Sequence, residues 1–222
     1  MKRKNQDVMG LSQSDWPNDS SYVWVEKFND EGLQHFYKKF MQLEADDTVK
    51  VIPVIISSYG GYTYIALAMR DIIKTSSKPV ATAALGKAMS SGAILLAAGT
   101  RGLRFASPDS YMLIHEVSSG FQGKTTDIQT EAQHTIELNK KILQNLAADT
   151  GKTVRAINAQ INKLKNSDWL LTAAQAKSWG LIDHIGVPRL YDQPAMRTIM
   201  AGKPYTKTDV TEVAFIDPLK KS

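Results

Sequence analysis

The sequence predicts an α/β domain built around a largely parallel sheet. Two continuous apolar runs, "VIPVIISS" (51–58) and "KPVATAAL" (78–85), lack the polar alternation of a half-exposed strand. Amphipathic stretches of helical period lie between and beyond them, and the two kinds of segment alternate along the chain. A sheet covered on both faces by crossover helices produces this pattern, and such a sheet presents its functional groups at the carboxyl ends of its strands.

"YVWVEK" (22–27) reads as the first strand. "NDEGLQHFYKKFMQLEADD" (29–47) follows as a helix behind an Asn29 or Asp30 cap, with Leu33, Phe36, Tyr37, Phe40, Met41 and Leu43 at helical spacing. The run 51–58 is a buried strand that ends in the turn Tyr59-Gly60-Gly61. A helix then carries the stripe Ile65, Ala68, Met69, Ile72 and Ile73, and 78–85 is a second buried strand leading into "GKAMSSGAILLAAG" (86–99). Two short strands, "RGLRFAS" and "YMLIHEV", are separated by Pro108 and Asp109. A long helix spans about 126–148, started by a Thr126/Gln129 capping box and stopped by Gly151. Thr172 and Gln175 repeat the box before "AAQAKSW", Gly180 closes that helix, and "LIDHIGV" is a last strand.

Residues 1–21 are polar and read as a flexible leader, 22–188 as the folded domain, and 189–222, where periodicity fades, as an extended tail. At 222 residues and 43% hydrophobic the chain can bury a sizeable core. Its net charge of +5 is dispersed, with no compact basic stripe interleaved with aromatics, so no nucleic-acid partner is expected. The absence of cysteine excludes disulfides, a thiol nucleophile and thiolate metal ligands. No apolar run reaches membrane-spanning length or resembles a signal-peptide core; a cytoplasmic location and no membrane partner are expected.

Chemistry-bearing residues fall at three strand ends. Gly60 and Gly61, lacking Cβ atoms, let backbone N–H groups approach a ligand. Ser90 and Ser91 stand at a strand-to-helix junction, where a hydroxyl is either a helix cap or an exposed nucleophile. His115 ends "YMLIH", whereas His35, His134 and His184 lie beside no obvious serine or turn. A serine needs a base, and the base needs a carboxylate to fix its tautomer. His115 is the best base; Glu116, Asp127, Asp168 and Asp183 are the candidate acids, and spacing does not choose among them. There is no HExxH zinc motif, and "LGKAMSSG" lacks the glycine spacing of a Walker loop, so no metal or other cofactor is expected.

In order, "SSYGG", "GKAMSSGAILLAAG", "LRFASPDSYMLIHE", "GFQGKTTDI" and "DWLLTAAQAKSWGLID" give the stretch from Tyr22 to Ile185 a multi-point resemblance. It resembles the proteolytic subunits of the ATP-dependent Clp protease family, serine peptidases whose fold is shared with crotonases. The resemblance implies Ser90 as nucleophile, His115 as base and Asp168 as orienting acid. The backbone N–H groups of Gly61 and Ser91 would form the oxyanion hole, and Gly120, Phe121, Gln122 and Gly123 would border the substrate groove. It further implies polypeptide substrates, homo-oligomers of stacked rings joined through the long helix, and a AAA+ ATPase partner. The chain departs from the family pattern in several places: Tyr59 for a usual proline, Ser91 for a usual methionine, Glu116-Val117 for a usual Gln-Pro, and a longer "NAQINKLKNS" before Asp168.

Other readings are a phage-type head-maturation protease of this family, a non-catalytic scaffold subunit of such a ring, and a crotonase-like acyl-CoA enzyme. The last would not need a Ser90 and His115 pair. A serine–lysine peptidase would need Lys87, which is close to Ser90 along the chain.

Overall fold

The computed structural model describes residues 22–163 and 168–186; the expected leader and tail lie outside this range. Chain order is β1 (Val23–Val25), α1 (Asp30–Ala45), β2 (Ile52–Ser58), α2 (Thr63–Thr75), β3 (Val80–Met89) and α3 (Ser91–Ala97). It continues with β4 (Arg104–Ala106), β5 (Tyr111–Ile114), α4 (Thr125–Thr150), α5 (Val154–Lys163), β6 (Trp169–Thr172), α6 (Ala173–Ser178) and β7 (His184–Ile185). This is the α/β domain that the alternation predicts.

One sheet runs β1-β2-β3-β4-β7, all parallel, and forks at β3. The first half of β3 pairs with β4 through Thr82–Ala84; its last residues, Lys87–Met89, pair with β5 instead. β6 then lies antiparallel to β5. The fork separates the carboxyl end of β3 from β4 and places β5 beside it, so the ends of β3 and β5 sit together.

The apolar run of β2 is buried on both faces, as its sequence requires. Ile52, Val54 and Ile56 enter the main core beneath α1, α2 and α3, while Ile55 joins Ala81, Ala83, Leu103 and Phe105 on the opposite face. Each residue of α3 is buried. Burying that many apolar side chains, at about 25 cal/mol per Å², fixes the start of this short helix more firmly than its own hydrogen bonds could.

Several expectations need correction. Asn29 caps α1, its side chain accepting from the Gly32 N–H at 2.8 Å, but Tyr37 and Met41 are exposed and only Phe36, Phe40 and Leu43 of the predicted stripe are buried. On α2 the buried alanine is Ala66, not Ala68. α4 begins at Thr125 behind Lys124 with no side-chain cap, so Thr126 forms no capping box. The stop at Gly151 is present, in the left-handed conformation (φ 73°). α5 was not foreseen: Ile157 and Ile161 anchor it, and the Ala156 N–H donates to Thr153 Oγ1 at 3.1 Å.

Candidate active site

Ser90 is the hinge of the site. β3 ends at Met89, α3 starts at Ser91, and Ser90 between them has φ 53° and ψ −118°. Ser90 is the one non-glycine among the described residues with positive φ. A side chain in that region costs on the order of 1–3 kcal/mol, a strain sustained only by the surrounding structure. Here the Ser90 N–H donates to Leu113 O at 2.8 Å, and its carbonyl accepts from Ala93 and Ile94 as α3 begins. The sharp turn lifts the hydroxyl out of both the strand and the helix, the geometry of a nucleophile elbow.

His115 follows β5 directly, and the parallel register Met89↔Leu113 carries it alongside Ser90. Nε2 of His115 lies 2.8 Å from Ser90 Oγ, within hydrogen-bond distance. Asp168 immediately precedes β6. The antiparallel partners Ile114↔Trp169 place His115 and Asp168 one step further along the same ladder, on neighbouring strands. Asp168 is exposed, and among the described residues no hydrogen bond joins its carboxylate to His115.

The remaining candidate acids lie elsewhere. Glu116 and Asp127 are exposed, and Asp183 is an ion-pair partner of Arg104, with Nη2 at 2.6 Å from Oδ1. Lys87 is also committed: its ammonium lies 4.3 Å from the centre of the Tyr59 ring.

Gly60 and Gly61 press against this hinge. Their φ values are +101° and +150°, and a Cβ on Gly60 would come within 2.8 Å of both Met89 O and Ser90 Cβ. A Cβ on Gly61 would meet Phe28 O at 2.5 Å, so only glycine fits either position. Within the described residues neither the Gly61 N–H nor the Ser91 N–H donates to any protein group. Gly61 and Ser91 therefore bring unpaired backbone amides close to the Ser90 side chain, where they could receive a developing negative charge, whereas the Gly60 N–H is taken by Ser58 Oγ.

A cavity of about 70 Å³ opens between Ser90, His115 and Gly61, with apolar walls from Ile94, Ile114, Val117, Ile142 and Leu146. A larger cleft of about 470 Å³ lies across the glycine turn, bordered by Phe28, Tyr59, Tyr62 and Lys87. Residues 120–123 are exposed in the connection between β5 and α4 and line neither space.

The sequence reading did not single out four contributors. Ser58 is buried and bridges Glu26 O (2.5 Å) and the Gly60 N–H (3.0 Å); its place just before the glycine pair was the available signal. Ile142 and Leu146, on the distant part of α4, wall the cavity, and nothing local marks them. Asn139 Oδ1 accepts from the Val117 N–H at 3.1 Å, tying the segment after His115 to α4. Among the described residues no group of three or more His, Asp and Glu side chains is placed to hold a metal ion.

The chain is similar to known proteins over most of its length. The sequence model of the family described as Clp protease matches residues 15–189. The ATP-dependent Clp protease proteolytic subunit 1 of Leifsonia xyli subsp. xyli (strain CTCB07) is 32% identical over 182 residues, covering 82% of this chain and 90% of that protein.

Proposed function

Because the chain belongs to the Clp protease family, we propose that it is a serine endopeptidase that hydrolyses peptide bonds of unfolded or partner proteins inside an oligomeric chamber. The observation that carries this reading is the 2.8 Å contact between Ser90 Oγ and His115 Nε2 at a strained strand-to-helix turn. An acyl-CoA enzyme on the same fold would have no use for that pair.

In the proposed reaction Ser90 Oγ attacks the substrate carbonyl as His115 Nε2 takes its proton. The oxyanion is received by the N–H groups of Gly61 and Ser91, each of such donors being worth about 2.7–4 kcal/mol of barrier. His115 then protonates the leaving amine, and a water activated by His115 releases the acyl-enzyme. Asp168 is the proposed partner of Nδ1; its place beside His115 in the β5–β6 ladder supports the role. The small apolar cavity suits one substrate side chain next to the scissile bond, and the segment containing Gly120, Phe121, Gln122 and Gly123 would border the extended substrate. Assembly into stacked rings through α4, with a AAA+ ATPase delivering substrate, completes the reading.

A fluorophosphonate probe tests it. Wild type is expected to be labelled at Ser90, Ser90→Ala to lose labelling, and Ser91→Ala to keep it. Peptide mapping that found the label on Ser91 would overturn the assignment of the nucleophile. An assembled oligomer that neither labels nor cleaves an unfolded protein without ATP would favour the scaffold reading.

A further inference from the structure

The Ser91 side chain has a structural partner of its own. Its hydroxyl donates to Gly61 O at 2.9 Å, and the residue is 1% exposed. Resting on the peptidase reading, we propose that this hydroxyl is a positioning group for the oxyanion hole.

Two adjacent glycines give the turn little intrinsic stiffness, since each surveys far more backbone conformations than any other residue. An oxyanion donor works only if it is already aimed at the developing charge. The Gly61 N–H itself makes no bond, so the orientation of its peptide rests on the parallel bridge between Gly61 and Phe28 and on the two neighbouring peptides. On one side the Gly60 N–H is held by Ser58 Oγ at 3.0 Å. On the other, the peptide between Gly61 and Tyr62 is held twice: the Tyr62 N–H donates to Phe28 O at 2.8 Å, and Gly61 O accepts from Ser91 Oγ.

Of these ties, the Ser91 bond alone joins the glycine turn to the start of α3. Ser91 thus supplies one donor from its own backbone and, through its hydroxyl, sets the position of the other. The methionine usual at this place in the family has no hydroxyl with which to make that link.

The oxyanion exists in the transition state and not in bound substrate, so loosening the link should affect turnover rather than binding. For the full chain acting on a fluorogenic peptide, Ser91→Ala is expected to lower kcat about five- to tenfold, the effect of one hydrogen bond, with KM unchanged. A peptide boronate, which mimics the tetrahedral adduct, should bind more weakly in the same proportion. Ser91→Thr, which keeps the hydroxyl, should recover most of the loss. Fluorophosphonate titration guards against misfolding, because a folded Ser91→Ala population labels to completion, only more slowly.

Equal kcat and equal boronate affinity in wild type and a fully labelled Ser91→Ala would overturn the proposal while leaving the peptidase reading intact. A wild type that neither labels nor turns over would remove the peptidase reading and this proposal with it.

Discussion

Arg104 lies almost wholly inside the protein, its side chain 4% exposed, and its charge is answered by Asp183. The carboxylate takes Arg104 Nε at 2.8 Å and Nη2 at 2.6 Å, together with the N–H groups of Gly102 and Arg104. Burial pushes the Asp183 carboxyl up, but those hydrogen bonds and the Arg104 charge outweigh it and hold the group below the ordinary carboxylate value. A lowered folded pKa means that the unfolded chain binds the proton first as pH falls. The stabilisation is therefore complete above about pH 3.9, the ordinary unfolded value, and is lost as pH falls through the folded pKa. Asp183→Asn leaves the guanidinium buried without a counter-charge, so a loss of about 3 kcal/mol or more is expected in urea unfolding at neutral pH. The variant should also lack this part of the acid dependence; a cost under about 1 kcal/mol would show that Arg104 is balanced by other groups. This pairing also explains one limit of reading the site from sequence. Ser90, His115 and the glycine pair were legible because each sits where a recognisable strand ends. Among the four carboxylates spacing does not choose; beyond the resemblance, what sets Asp183 against Arg104 and Asp168 beside His115 is the β4–β7 and β5–β6 pairing, and those pairings are long-range.

Helix starts show the same division between local and long-range information. Thr172 and Thr126 carry similar sequence signatures, yet at Thr172 the box is closed in both directions: the Gln175 N–H donates to Thr172 Oγ1 at 3.3 Å and the Thr172 N–H donates to Gln175 Oε1 at 2.9 Å. At Thr126 the helix has already begun one residue earlier, so Thr126 is not at the capping position and its hydroxyl caps no amide. Thr172→Ala is accordingly expected to cost about 1 kcal/mol and Thr126→Ala almost nothing, measured as shifts in urea midpoint. Equal losses would mean that the two threonines act through packing rather than capping. The strands β2 and β3 were legible as continuous apolar runs because burial on both faces leaves no polar alternation. α5 was not, since "VRAINAQINK" has only Ile157 and Ile161 as buried residues and reads locally as a polar connection. The fork in the sheet, on which the site depends, has no local signature: one strand changes partner midway, from β4 to β5, and both partners are short.

Across the molecule, α4 is the element whose length the domain itself does not explain. It has 26 residues, but its buried positions begin at Ile142, where it walls the cavity beside Ser90, and everything before that is outside the core. Ile128 and Ile136 stand 40% and 62% exposed, and their separation of eight residues puts them on one face of the helix. Two isoleucines on a projecting helix gain little from water and would gain by meeting an apolar partner; the stacked rings proposed above, joined through α4, would supply one. Ile136→Lys places a charge in that contact without touching the core, so the domain should keep its urea midpoint while losing the larger assembly. Light scattering after size-exclusion chromatography reads this directly: wild type is expected at the mass of two rings and the variant at half of it or less. Because Ile142 and Leu146 belong to the same helix, the assembly should also steady the cavity wall, and the rate of Ser90 acylation by a fluorophosphonate should fall when the rings part. A variant that retained the full mass would show that α4 does not hold the rings together, and one that lost mass but acylated at the wild-type rate would show that the site is complete in the separated ring.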